Sequence, residues 1–309
     1  GCRMIRRSIP ALVAVAVFGL SLLALPRLDL AARDFHVDNI AGDDRNDGSV
    51  PEQGSDRVGP MRTIVRALKA AGPGDRIIIA ATGEPYRESL ALIGGRHGTD
   101  DVRPFRIIGN NAVLDGTVAV HPDAWRHETG EVFSFRPHLV GHQLLYRDGR
   151  PLKRARIAGA DQLSELQPLE WAWVDGRIHF RVETDRLPDS YSLAYCGLET
   201  GILIDGVDGV EISDLIVQGF AADGIDARDD VRNATIVGAT LRGNGRSGLH
   251  VGGASRVKVE ACLIGDNGKA QAWLTDYCKV VMERCDLLDV DPAVPPVDAA
   301  DTVRLDRRF

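Results

Sequence analysis

Four stretches in the C-terminal half of the chain repeat one pattern of apolar and polar positions. Beginning at Gly201, Gly224, Gly248 and Gln271, at spacings of 23, 24 and 23 residues, each holds two or three short runs in which apolar and polar residues alternate. A period in the low twenties predicts a parallel β-solenoid, because one such coil cannot bury its apolar face alone and must stack on its neighbours. The alignment assigns faces. Ile202, Ile225, Leu249 and Ala272 are expected to stack inward, as are Ile204, Ala227, Val251 and Leu274. A second strand stacks Val210, Ala234, Val257 and Val280, then Ile212, Ile236, Val259 and Met282. A third gives Leu215, Ala239, Cys262 and Cys285, then Val217, Leu241, Ile264 and Leu287. The extra residue of the second coil falls between its first and second strands. Coils lie ~4.8 Å apart, so Cys262 and Cys285 become buried neighbours, expected as stacked thiols because a disulfide needs its own geometry. Gly-Asn-Gly at 243–245 and Asp-Asn-Gly at 266–268 mark one corner in consecutive coils.

Upstream, the period turns helical once. Thr63 is placed to cap a helix in which Ile64, Ala67, Leu68 and Ala71 fall at i, i+3, i+4 and i+7, with Arg62, Arg66 and Lys69 on the other face. Gly72 and Pro73 stop it, and Pro73-Gly74-Asp75 turns the chain into RIIIA, read as a strand buried on both sides or at a covered sheet end. The first coil of a solenoid exposes an apolar end and unpaired strand edges, and this helix is expected to cover them. A short strand from Phe35 to Val37 precedes a Gly/Asp-rich loop whose DDRNDG lacks the ligand spacing of a calcium loop and reads as a solvated turn. FRIIG (105–109) and AVLDG (112–116) read as earlier coils. Residues 121–196 break the pattern with two Asp-Gly hairpin signals, at 148–149 and 175–176, and three tryptophans, and are expected to form an antiparallel β insertion.

At the N-terminus Arg3, Arg6 and Arg7 precede an uncharged apolar run, residues 9–25, closed by Pro26 and Arg27. That is the pattern of an export signal, between a signal-peptide core and a full span of roughly 20 residues in length; the balance favours an uncleaved anchor with the remainder outside the cytoplasm. The organisation expected is thus a signal or membrane anchor (1–33), cap and first coils (34–120), insertion (121–197), further coils (198–290) and a tail (291–309). Four clear coils are few, and the Pro/Asp-rich end offers no obvious cap, so a piece of a longer solenoid is a further reading. With 37 basic against 44 acidic residues the net charge is -7, and no long basic run follows the N-terminus, which argues against nucleic acid as a partner. Five cysteines without CxxC pairing indicate neither a zinc site nor a disulfide framework.

The order FHVDNIAGDDRNDGS, GPMRTIVRALKAAGPGDRIIIA, GEPYRES, FRIIGNNAVLDG and then Gly-led coils resembles the right-handed parallel β-helix proteins of the pectate-lyase-like superfamily, the pectin lyase fold. The resemblance covers roughly residues 34–120 and 198–290. It implies an all-β, right-handed parallel β-helix with an N-terminal capping helix and an antiparallel insertion, in an extracytoplasmic protein that acts on or binds polysaccharide. The motifs that mark pectate lyases and polygalacturonases do not match; GLHVGG at 248–253 is a distant echo of the latter.

The candidate chemistry lies one residue past the inward ladder. Leu203, Asp226, His250 and Trp273 form an outward row, followed by Asp205, then Arg228, Asp229 and Asp230, and Asp276 and Tyr277. Asp226 with Asp229 or Asp230 would supply the acid and base of a glycoside hydrolase, His250 a proton relay and Trp273 a face for a sugar ring; Asp230, Asp276 and Tyr277 would complete the binding surface. In a lyase, His250 or Arg228 would abstract the C5 proton while Arg228, or a calcium ion bridging Asp226, Asp229 and Asp230, neutralised the uronate. The competing account makes DARDD a solvated corner, His250 an ordinary exposed residue and Trp273 a packing contact, on a non-catalytic envelope scaffold. His121, His127, His138 and His142 lack metal-ligand spacing and read as surface residues, and Trp171 and Trp173 as core.

Overall fold

The computed structural model describes residues 31–98, 103–288 and 291–308. The apolar run at 9–25, and with it the expected anchor, lies outside the described residues; among those described, no helix is long and apolar enough to cross a membrane.

Three parallel sheets of eight, six and five strands run side by side along a β-solenoid. Their register is the one the 23- and 24-residue spacings predict: Ile202 pairs with Ile225, Ile225 with Leu249 and Leu249 with Ala272 in the six-stranded sheet. Val210, Ala234, Val257 and Val280 align in the eight-stranded sheet, and Val217, Leu241, Ile264 and Leu287 in the five-stranded one. These inward residues form one continuous apolar core. Its energy is ordinary: each aliphatic side chain removed from water contributes about 1.5–3 kcal/mol. Cys262 and Cys285 are free thiols at neighbouring positions in that stack, Cys262 buried and Cys285, expected above to be buried as well, only partly so because it lies nearer the end of the stack.

The coil before the insertion stacks directly on the coil after it. Leu90 pairs with Ile202, Phe105 with Val210 and Val113 with Ile216, so the solenoid is continuous although some eighty residues of chain leave and return between them. RIIIA departs from the reading above. Ile77 and Ile79 are fully buried while Arg76 and Ile78 are half-exposed, because the strand has one wet face in the eight-stranded sheet. Residues 297–299 and 304–308, read above as tail, are strands that extend the six- and eight-stranded sheets.

The helix Ile64–Ala70 closes one end of the core. Ile64, Ala67, Leu68 and Ala71 are buried. Thr63 caps it, its hydroxyl accepting from Arg66 N (3.2 Å), while the Glu88 carboxylate accepts from Ile64 N (3.0 Å) and Val65 N (2.9 Å). Asp44 of the acidic loop accepts from Thr63 N (2.8 Å), and Asp43 pairs with Arg45, so those carboxylates hold the loop and the helix entry.

The insertion makes two four-stranded antiparallel sheets with their own core of Phe135, Leu145, Trp171, Ile178 and Phe180. Both hairpins turn through left-handed residues, Asp148 and Gly149 (φ 52 and 73°) and Asp175 and Gly176 (φ 48 and 72°), as two-residue hairpin loops require. It docks on a corner of the solenoid, where the Tyr146 hydroxyl donates to the Gly243 carbonyl.

Candidate functional site

The outward row of the six-stranded sheet places Leu203 beside Asp226, Asp226 beside His250 and His250 beside Trp273. Asp226 is 5% exposed. One of its carboxylate oxygens lies 2.7 Å from His250 Nδ1, and the other 3.9 Å from the Arg228 guanidinium. The imidazole of His250 stacks on Trp273, centroids 4.5 Å apart at 28°, and its Nε2 lies 3.2 Å from the Thr275 hydroxyl, which is 3.0 Å from Asp276. Asp276 also accepts from Gly253 N, and that bond, with the Thr275 hydroxyl, holds its carboxyl below the ordinary range.

This chain has two protonation patterns. Threonine carries one hydroxyl proton. If it goes to Asp276, the Thr275 oxygen accepts from Nε2–H while Nδ1–H donates to Asp226. If it goes to Nε2, the ring is neutral, with Nδ1–H donating to Asp226. Rotation of one hydroxyl therefore accompanies proton gain or loss at Nε2, the arrangement of a proton-transfer group.

Beside it stands an ion pair that the sequence reading missed. Asp223 is fully buried; its carboxylate accepts from Arg246 Nε (3.1 Å), from a second nitrogen of the same guanidinium and from Ser247 Oγ (2.6 Å). Burial alone would lower the Arg246 guanidinium, but the Asp223 carboxylate outweighs it and holds Arg246 above its ordinary value. Arg246 also lies over Trp273 at 4.6 Å, and Lys269 Nζ at 4.0 Å. A signal for this was present: Arg246 N donates to Ala222 O and Lys269 N to Arg246 O, so the two cations occupy one column, 23 residues apart. His142, at the rim and reached by solvent, has its imidazole pushed down by partial burial and then by the Arg246 and Lys269 charges.

Several sequence assignments change. The titratable atoms that converge, within 4.8 Å of one another, are those of Asp223, Asp226 and His250, without Asp229 or Asp230. The extra residue of the second coil turns the chain there through two left-handed positions, Asp229 (φ 57°) and Asp230 (φ 68°), both exposed, and Asp230 pairs with Arg232 at 2.7 Å. The carboxylate next to Asp226 is Asp223. Trp273, read as a sugar platform, is engaged by His250, Arg246 and Lys269, and Tyr277 is 73% exposed at the corner beyond.

The converging group does not suit calcium. That ion takes six to eight oxygen ligands. Here the Asp223 oxygens are occupied by Arg246 and Ser247, Asp226 faces an imidazole and a guanidinium, and Asp230 is paired away.

A family model described as "Right handed beta helix region" matches residues 199–294. No curated protein matches the sequence. Among solved structures, a glycoside hydrolase aligns with a TM-score of 0.57 at 12% identity, over 82% of this chain and 73% of its own. The complex of XylC with xylose gives 0.43 at 13% identity over 89% and 70%, and a pectate lyase 0.41 at 13% identity over 83% and 54%. At such identities the likeness is one of fold. With three parallel sheets stacked in register, the chain is a right-handed parallel β-helix protein.

Proposed function

We propose that this protein acts on a glycan laid along the outward row of the six-stranded sheet, and that it cleaves by elimination with His250 as base. The observation that supports elimination over hydrolysis is the occupation of Asp223. Hydrolysis of the usual kind takes two carboxyl groups, one free to donate a proton and one to attack or activate water. Both Asp223 oxygens are held by Arg246 and Ser247, and Asp226 is held by His250, so the row offers an oriented imidazole and no free acid pair.

The proposed step uses groups already in place. His250, neutral with Nδ1–H on Asp226, takes the C5 proton of a uronate at Nε2 as the Thr275 hydroxyl turns from Nε2 to Asp276. The C4–O bond breaks, a C4–C5 double bond forms, and the departing oxygen takes a proton from water. Asp226 holds the ring by its other nitrogen and stabilises the imidazolium that results. Arg228, with its side chain 46% exposed, is available to face the uronate carboxylate as charge builds there. The arginine-flanked apolar run at the N-terminus supports an extracytoplasmic setting, and a cell-envelope glycan as the substrate.

The test is a panel of acidic and neutral polysaccharides, followed both by reducing ends and by the ultraviolet absorbance of an unsaturated product. Elimination requires both signals on a uronate polymer and the loss of both in His250→Ala. Reducing ends without the unsaturated product would replace elimination by hydrolysis. Binding with no turnover on any polymer would favour the scaffold.

A further inference from the structure

A cavity of about 730 Å³ lies in the seam between the insertion and the solenoid. That is within the range of small-molecule sites. The insertion supplies Leu144, Leu152 and Arg154 to its wall, and the solenoid side Asn267, Gln271 and Val294. The charges around it are matched with one exception. Asp266 pairs with Arg242 (3.2 Å), Asp291 with Arg156 (3.2 Å) and Lys153 with Glu170 (2.8 Å). Arg154 has no ion pair and no hydrogen bond among the described residues; its guanidinium lies 5.3 Å over the ring of Trp171, half-buried. Burial first, and then the charge of Arg156, lower it from its ordinary value. Its N–H donors, partly screened from solvent, thus have no protein acceptor among the described residues.

Leaving a guanidinium in that condition costs free energy, and an anion that enters the cavity recovers it through charge-assisted hydrogen bonds. A second donor waits nearby. Gln271 is 2% exposed; its Oε1 accepts from Asn267 N (3.2 Å) and Nδ2 (2.9 Å), while its Nε2 donates to no described residue. The remaining wall, Leu144, Leu152 and Val294, offers an apolar face of the kind that packs against a ring.

We infer that this seam cavity binds one unit of an acidic sugar, with its carboxylate on Arg154, a hydroxyl on Gln271 Nε2 and its ring against the apolar wall. Gln271 and Trp273 belong to the same strand, Ala270–Leu274, so the cavity borders the outward row. The choice of a sugar rests on the glycan reading of that row; the choice of an anion rests on Arg154 alone. The cavity would select uronate-bearing chains independently of the chemistry at His250.

The experiment is calorimetric titration of the whole protein with glucuronate, galacturonate, glucose and inorganic sulfate. One or both uronates should bind at least about tenfold more tightly than glucose and than sulfate, the gap expected for a charge-assisted bond plus a ring contact. Arg154→Gln should remove that difference, and Arg154→Lys should restore part of it. Lys153→Glu, at an exposed rim position, should weaken uronate binding about threefold without touching the interior, which covers the case in which Arg154→Gln fails to fold. Equal binding of glucose and uronate, sulfate binding as tight as uronate, or uronate binding unchanged in both Arg154→Gln and Lys153→Glu, overturns the inference. Uronate binding that depends on Arg154, in a protein inactive on every polymer, would sink the elimination and leave the cavity standing. Activity lost in His250→Ala but kept in Arg154→Gln, with no uronate binding in the parent, would do the reverse.

Discussion

Two rows on the same strands, one residue apart, behave differently. Ile202, Ile225, Leu249 and Ala272 point into the core, are fully buried and change only in size along the stack. Leu203, Asp226, His250 and Trp273 point out in the same register and change in kind at each coil. The inner row is uniform because each member meets the same demand, to fill space between two apolar layers. The outer row faces no such demand. Its succession of acid, imidazole and indole, tied by one hydrogen bond and one ring stack, is where a function can be sought.

If the comparison is right, substitutions should separate the rows by energy. Ile225→Ala leaves a hole in the middle of the stack and should cost about 3 kcal/mol, read as a fall in the urea midpoint, whereas Leu203→Ala in the outer row of the same sheet should cost under ~1 kcal/mol. Similar costs for the two would abolish the distinction. Next in size is the corner where the insertion docks. Asn244 is fully buried; it accepts from Phe220 N (3.2 Å), and its own backbone N–H donates to Asn267 Oδ1 (2.8 Å). Asn244→Ala strands buried groups and should cost about 1–3 kcal/mol in the same assay. At Gly245 an added Cβ would come within 2.4 Å of the Ala221 carbonyl and 2.6 Å of that of His142. Gly245→Ala should therefore loosen the insertion more than the coils, seen as faster proteolysis confined to residues 121–196.

The smallest effect concerns acid. Burial would raise the Asp75 carboxyl, but the Arg33 side chain and the backbone N–H groups of Gly72 and Arg33 outweigh it, and the group sits below its ordinary value. A carboxyl depressed in the folded state stabilises above the unfolded value of about 3.9, and that contribution disappears as pH falls through the folded value. Asp75→Asn should lower the melting temperature at pH 7 and converge with the parent towards pH 2. A gap that persists at low pH would mean that Asp75 acts by packing instead.

What the sequence disclosed follows the same division. The register was legible at Ile225 and Ile236 because burial in a stacked coil forces repetition, and a repeat is visible without any structure. The helix at Ile64–Ala70 was legible from its period and from Thr63. Asp223 was not, since it directly precedes the glycine taken as the start of the coil, and nothing local distinguishes a buried ion pair from a turn acid. Its partner Arg246 lay in plain view one period on, but only the corner geometry shows that the two meet. Asp229 and Asp230 misled for the opposite reason. They lie close to Asp226 in sequence, yet both are exposed at the left-handed corner and outside the converging group. The seam cavity was hidden altogether, because Arg154 belongs to an unrepeated segment whose docking depends on contacts such as Tyr146 to Gly243.

The most direct test of the account compares His250→Ala with the parent in two readouts at once, turnover of a uronate polymer and thermal stability. Turnover should fall by at least about a hundredfold, the usual scale for a lost general base, in a protein destabilised by less than ~2 kcal/mol. Turnover that survives the substitution, or a protein that no longer folds without His250, would contradict the claim that the outward row is functional while the inner row holds the fold.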